Sequence, residues 1–215
     1  MKKLVIFDLD GTLLNTISDL GAACNHILEN NGYPTHPLEA YRWFVGRGIR
    51  NLIINALAPD TLPEESVDRL LEQFKSYYTA HKTDLTRPYE GINDLLGSLR
   101  QTGIHLAVAS NKFQQGTEEL VRHYWGDQLF DVVLGQREGV SIKPDPQIVH
   151  DILAATGIAA TDSLYVGDTG IDMQTAANAG VESVGVCWGF RNKEELEAAG
   201  ACHLINTPAE LTAWL

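Results

Sequence analysis

Short runs of apolar, β-branched and aromatic residues recur along the chain, separated by segments whose apolar positions return every three or four residues. The first run, Lys3 to Phe7, reads as a strand buried on both faces, the kind found in parallel sheets, and it stops on Asp8. Runs of the same kind follow at Ile104 to Ala109, Asp131 to Leu134, Ser163 to Val166 and Glu182 to Val186. Helical patterns lie between them at about Ile92 to Gln101, Gln114 to Trp125, Pro146 to Thr156 and Ile171 to Ala179. A weaker strand, Cys202 to Ile205, and a helix from Thr207 complete the pattern. Such βαβ alternation predicts a Rossmann-like α/β core, a doubly wound parallel sheet covered by helices on both faces.

The interval between the first two strands is too long for one crossover, and its periodicity is helical throughout. Ile17, Leu20, Cys24, Ile27 and Leu28 form one apolar stripe, stopped by Asn31-Gly32, and Val67, Leu70, Leu71, Phe74, Tyr77 and Tyr78 form another behind Pro63, Glu64 and Glu65. The expectation is an all-helical cap over residues 15–82, inserted into an α/β core of residues 1–14 and 83–215. The polar segments Leu14 to Thr16 and His81 to Arg87 are its expected hinges. Trp43 and Phe44 read as cap core rather than as a substrate platform.

Charge narrows the partners. Among 215 residues, 28 acids against 16 basic side chains leave a net −12, which repels phosphate backbones and anionic lipid. No nucleic acid and no membrane partner is expected. The apolar run after Lys2 and Lys3 stops at Asp8, short of a signal or spanning segment, so the expected location is cytoplasmic. The three cysteines fit neither a zinc site nor a disulfide framework and read as reduced thiols, and the seven histidines form no metal-binding pair at helical spacing. Monomer and homodimer stay equally open.

Ligands of open α/β sheets bind beyond the carboxyl ends of the strands, so the strand-ending residues belong together. They are Asp8-Leu9-Asp10-Gly11-Thr12, Ser110-Asn111-Lys112, Lys143-Pro144 in the loop after the third strand, and Gly167-Asp168-Thr169-Gly170-Ile171-Asp172. Four carboxylates with Lys143 carry a formal −3, which like-charge repulsion disfavours. A divalent cation reduces this to −1, and a proton on one Asp to zero. Hard oxygen donors suit Mg²⁺ as the cofactor, bound with a substrate phosphate.

These four motifs, in this order, resemble those of the haloacid dehalogenase superfamily over nearly the whole chain. The helical insert, Lys143-Pro144-Asp145-Pro146 and Gly185-Val186-Cys187-Trp188-Gly189 are similar to its phosphoglycolate phosphatase-like branch. The resemblance implies Mg²⁺-dependent hydrolysis of a small phosphorylated metabolite. Asp8 would be the nucleophile that becomes an aspartyl-phosphate. Asp10 would serve as acid toward the leaving alkoxide and then as base toward water. Members acting on carbon–halogen or carbon–phosphorus bonds usually lack an acid at the position of Asp10, so its presence argues for phosphoryl chemistry.

Further implied roles are phosphate binding by Ser110, with Gly11 and Asn111 beside it, charge neutralisation by Lys143, and metal binding by Asp8, Asp168 and the backbone carbonyl of Asp10. Asp172, four residues after Asp168 and so read as sharing its helix face, would act through water or position Lys143. Lys112 competes for part of the role of Lys143. Gly46-Arg47-Gly48-Ile49-Arg50 is the cap segment that could grip an anionic leaving group, with Arg47 ahead of Arg50, or it is a glycine-closed turn followed by exposed arginines. Asn15 departs from the acid that many members of the branch carry there. A phosphosugar mutase and a pyrophosphatase share this machinery. A phosphorelay receiver also forms an aspartyl-phosphate, but its acceptor follows a middle strand and lacks a second acid two residues on.

Overall fold

A computed structural model describes residues 1–58 and 63–215. In chain order its elements are β1 (Leu4–Phe7), β2 (Leu14–Asn15), α1 (Ile17–Asn30), α2 (Leu38–Phe44), α3 (Gly48–Leu57), α4 (Glu64–His81), β3 (Arg87–Pro88), α5 (Ile92–Gln101) and β4 (His105–Phe113). They continue with α6 (Gln114–Trp125), β5 (Val132–Gln136), α7 (Gln147–Thr156), β6 (Ser163–Gly167), α8 (Gly170–Asn178), β7 (Glu182–Val186), α9 (Lys193–Ala198) and β8 (His203–Ile205). Six strands form one sheet in the order β5-β4-β1-β6-β7-β8, every neighbouring pair parallel.

Alternation along β1 explains the double winding. Val5 and Phe7 enter a core with α5 and α6, while Leu4 and Ile6 enter the opposite core with α7 and α8. Phe7 is in register with Val108 on one side and Val166 on the other, so Asp8 emerges between two buried strands. The predicted parallel α/β sheet is therefore the observed one. Among the described residues, no helix is long and apolar enough to cross a membrane.

Three local expectations change. The second major strand was expected to end at Ala109, but β4 runs on through Ser110, Asn111 and Lys112, and its register against β5 shifts between Ala109 and Phe113. Polar side chains there break the apolar pattern without ending the extended backbone. The expected final helix is a 3₁₀ helix, Pro208–Trp214. Its buried Pro208 and Leu211 are three residues apart, matching three residues per turn rather than 3.6. Trp43, expected inside, is 61% exposed, whereas its neighbour Phe44 does pack on the helical core.

Helices α1 to α4 enclose a core of their own, which Phe190 enters and Phe113 borders from the sheet side. The connections are more ordered than plain loops. Leu14 pairs with Pro88 and Asn15 with Arg87 in a short antiparallel ribbon of β2 and β3. Asp19, buried in the first turn of α1, accepts from the Leu85 amide at 3.0 and 3.1 Å and the Thr86 amide at 2.8 Å. One carboxylate thus ties together both chain segments that join the helices to the sheet.

Truncating it strands two amides, so Asp19→Ala is expected to lower unfolding free energy by about 2–4 kcal/mol, with Asp19→Asn, which keeps one oxygen acceptor, losing less. Urea midpoints measure this, and an Ala variant as stable as wild type would count against the hinge pin.

Candidate active site

The carboxyl ends of β1, β4 and β6 bring the predicted residues together. Asp8 follows β1, and its Oδ1 accepts from the Leu9 amide at 2.7 Å and lies 3.0 Å from Lys143 Nζ. Lys143 is buried and also donates to Asp172 Oδ1 at 2.7 Å, the Ala109 carbonyl at 3.0 Å and the Tyr165 hydroxyl at 3.1 Å. Asp168 is fully buried; its two oxygens accept from the Thr12 hydroxyl at 3.0 Å and the Phe190 amide at 2.8 Å.

The loops carrying these side chains admit no bulk. Gly11 has φ +90°, and a Cβ there would lie 2.3 Å from Asp168 Oδ2. A Cβ on Gly189 would lie 2.2 Å from that of Asp168. Gly11, expected near phosphate, is thus seen pressed against a carboxylate.

Asp172 joins Asp8 and Asp168 for a reason other than a shared helix face. Asp168 precedes α8, Thr169 is its N-cap, and Asp172 is the third helical residue. The Asp172 carboxylate turns back to accept from the Thr169 amide at 3.1 Å and hydroxyl at 2.6 Å, a reciprocal capping box. One oxygen caps the helix while the other holds Lys143.

Oxygens of Asp8, Asp168 and Asp172 lie within 4.8 Å of one another, all three residues buried. This buried cluster of hard donors fits a small divalent cation. The Asp10 carboxylate stands outside this cluster: Lys112 Nζ donates to both its oxygens at 3.0 and 2.9 Å, with the lysine side chain only 1% exposed. Lys112 also sits 4.7 Å from the centre of the Tyr78 ring. Two buried lysines therefore serve four carboxylates, and the formal charge is −2 rather than the −3 reckoned with Lys143 alone. A divalent cation brings it to zero.

Burial pushes the Asp8 carboxyl up to about 7 despite the opposing charge of Lys143, with Asp172 and Asp10 adding to the rise. Asp168 is raised well above the ordinary carboxylate range, by burial first and then by Asp172 and Asp8. Burial disfavours the Lys143 ammonium, but Asp172 and Asp8 outweigh it and hold the group charged.

A narrow pocket of about 30 Å³ lies between sheet and helices. Its floor is Asp8, Asp10, Ser110, Asn111 and Lys112; its roof is Leu20, Val45, Gly46, Gly48, Ile49 and Leu52. Ser110 Oγ accepts from the Lys112 amide at 3.2 Å, which leaves its hydroxyl hydrogen for a ligand. Asn111, expected on phosphate, is already committed: its amide donates to the Gly46 and Lys143 carbonyls at 2.9 and 3.2 Å, and its oxygen accepts from the Lys143 amide at 2.8 Å.

Neither cap arginine joins the floor. Arg47 is exposed while the backbone on both sides of it forms the roof, and Arg50 pairs outward with Asp68 and with Glu64 at 3.2 Å. Sequence reasoning missed Tyr165 and Phe190, and it placed Thr12 and Thr169 in the motifs without giving either a role. A tyrosine in an otherwise apolar buried strand was one available signal, because its hydroxyl must find a partner, and Thr169-x-x-Asp172 was another.

A family profile described as haloacid dehalogenase-like hydrolase matches residues 5–186. A phosphoglycolate phosphatase of Pseudomonas putida is 33% identical over 209 residues, covering 96% of this chain and 77% of its own length. One from Aliivibrio fischeri is 32% identical, covering 90% and 88%. Among solved structures, a candidate phosphoglycolate phosphatase from Lactobacillus delbrueckii subsp. bulgaricus superposes with TM-score 0.88 at 33% identity, over 98% of this chain and 97% of that one. CbbY from Rhodobacter sphaeroides, solved in complex with phosphate, gives 0.83 at 25% identity over 98% and 96%.

The raised Asp8 carboxyl makes a signed prediction. Without metal, the folded chain keeps a proton between pH 3.8 and about 7 that the unfolded chain gives up, so this stabilisation is full below pH 3.8 and lost as pH rises through about 7. In EDTA, the Tm advantage of Asp8→Asn over wild type is expected to grow across that window and to shrink when Mg²⁺ is added. A gap independent of pH would contradict the burial argument.

Proposed function

The chain belongs to the haloacid dehalogenase-like hydrolases, and from that premise we propose that it is a Mg²⁺-dependent phosphatase acting on a small phosphomonoester, with 2-phosphoglycolate as the leading substrate. The observation that carries this reading is the pairing at the end of β1: Asp8 against Lys143 and two further carboxylates, and Asp10 two residues on, facing the same pocket.

In the proposed first step an Asp8 oxygen bonds to phosphorus and the phosphorus–ester oxygen bond breaks, while Asp10 gives its proton to the departing alkoxide. In the second, water bonds to phosphorus, Asp10 takes the water's proton, and the Asp8–phosphorus bond breaks to release inorganic phosphate. Lys143 stays charged beside Asp8 and offsets the negative charge of the transferring group. The Ser110 hydroxyl donates to a phosphoryl oxygen. Lys112 pairs with Asp10 in this structure and, lining the same pocket, can take a substrate anion as a second partner. The carboxylates of Asp8 and Asp168, with Asp172 directly or through water, would hold Mg²⁺, which supplies positive charge against the phosphate and the ionised Asp8.

The pocket supports the substrate class. Its roof of four aliphatic side chains and glycine backbone lies close over the floor, and that narrow space suits a leaving group of few atoms better than a nucleotide. The relatives named as phosphoglycolate phosphatases point the same way. A cytoplasmic location, a small phosphorylated metabolite as partner and no nucleic-acid or membrane partner complete the proposal, supported by the net −12 charge.

Phosphate release from 2-phosphoglycolate, sugar phosphates, nucleotides, pyrophosphate and p-nitrophenyl phosphate, with Mg²⁺ or EDTA, tests it. Release is expected to require both Mg²⁺ and Asp8, to vanish in Asp8→Asn, and to be fastest with 2-phosphoglycolate. Asp10→Asn is expected to lower kcat by about 10²–10⁴-fold. Transfer that depends on a sugar bisphosphate would replace hydrolysis with a mutase, and a stable phosphoenzyme without turnover would replace it with a switch.

A further inference from the structure

The segment after β7 makes contacts that the proposed reaction leaves unexplained. The Phe190 amide donates to Asp168 Oδ2 at 2.8 Å, while its side chain is buried in the core of α1 to α4. One residue on, the Arg191 guanidinium donates to the carbonyl oxygens of Arg42 and Val45, the latter at 3.1 Å, and lies 5.0 Å from the centre of the Trp43 ring. Glu195 backs it: one carboxylate oxygen sits 3.3 Å from Arg191 Nε, and the other accepts from the Gly170 amide at the start of α8 at 3.2 Å.

These contacts have a physical logic. Carbonyls at the C-terminal end of a helix lack partners within it, and a planar guanidinium can take two acceptors at once. The Arg191 side chain is only 9% exposed, so this is no solvent-swept surface pair. Val45 and Gly46 belong to the pocket roof. Adjacent residues thus grip a buried carboxylate of the Asp8–Asp168–Asp172 cluster and the pocket roof, Phe190 through its amide on Asp168 and Arg191 through its side chain on Val45.

We propose that Arg191 is a positioning residue that fastens the pocket roof to the loop holding Asp168, so that closing the pocket and setting the Asp168 carboxylate favour each other. Its consequence for turnover rests on the phosphatase reading; its consequence for structure does not. If the roof lifts, either the Phe190 ring leaves the helical core or the segment follows the roof, and in both cases the amide on Asp168 shifts. The coupling is reciprocal: cation and phosphate at the floor draw the roof down, and the closed roof strengthens their binding.

Hydrogen exchange and calorimetric Mg²⁺ titration of wild type, Arg191→Lys and Arg191→Met test this, with and without inorganic phosphate. Methionine keeps an apolar stem near Trp43 and donates nothing; lysine keeps charge but not the two-carbonyl fork. Arg191→Met is expected to speed exchange in residues 41–53 and 189–191 while leaving the sheet unchanged. It should weaken Mg²⁺ binding in the presence of phosphate about tenfold, and raise KM for 2-phosphoglycolate more than it lowers kcat. Arg191→Lys should fall between.

Wild-type exchange and Mg²⁺ affinity in Arg191→Met would overturn the proposal. So would protection lost evenly over the chain, which would make Arg191 an ordinary stability residue. If wild type releases no phosphate from any compound, the phosphatase reading fails, and exchange and calorimetry still decide the coupling. If wild type is active and Arg191→Met is unchanged, only the coupling fails.

Discussion

Mutual repulsion among carboxylates buried at the end of a parallel sheet is the constraint from which the rest of this structure follows. Asp8, Asp168 and Asp172 bring oxygens within 4.8 Å of one another away from water. Ionised carboxylates gathered this way are costly unless cations and donors surround them. The chain meets that cost with several groups at once: the ammonium of Lys143, the hydroxyls of Thr12 and Thr169, and the amides of Leu9, Thr169 and Phe190. Glycine at positions 11 and 189 lets two loops press onto Asp168 where any side chain would collide.

The surrounding fold follows from the same need. A parallel sheet sends the carboxyl ends of β1, β4 and β6 to one edge, so residues 8, 110 and 168 meet although they lie far apart in sequence. Burial of β1 on both faces makes its end a fixed point, and Asp8 inherits that rigidity. The helical layer answers a different requirement, covering the polar end of the sheet so that the pocket is roofed rather than open to bulk water. Its aliphatic roof is held by Asn111 at Gly46, by Asp19 at the connections and by Arg191 at Val45.

Sequence reading succeeded where the signal was local and periodic. The apolar runs at Lys3 to Phe7 and Ser163 to Val166 mark the buried strands, and the acids that follow them mark the carboxylate cluster. It failed where partners are chosen in three dimensions. Nothing near Lys112 in the chain says that its ammonium will meet Asp10, 102 residues away. Asn111 resembles a phosphate ligand until the Lys143 backbone is seen against it. Asp168 and Asp172 were paired by helix spacing, yet a capping box, not the helix face, brings Asp172 back. For Arg47 and Arg50 the sequence left two directions open, and the structure follows the second, a glycine-closed turn with its arginines turned outward.

The two lysines show why motif residues and their neighbours cannot be weighed alike. Lys143 has four partners in Asp8, Asp172, the Ala109 carbonyl and the Tyr165 hydroxyl, and so is fixed whatever the pocket contains. Lys112 has one anionic partner, Asp10, and lines the pocket itself. A fixed charge serves a step whose charge develops in one place, while a charge with a single partner can be shared with whatever enters. The division leaves the Asp8 side of the site fixed and the Asp10 side free to respond to what enters the pocket.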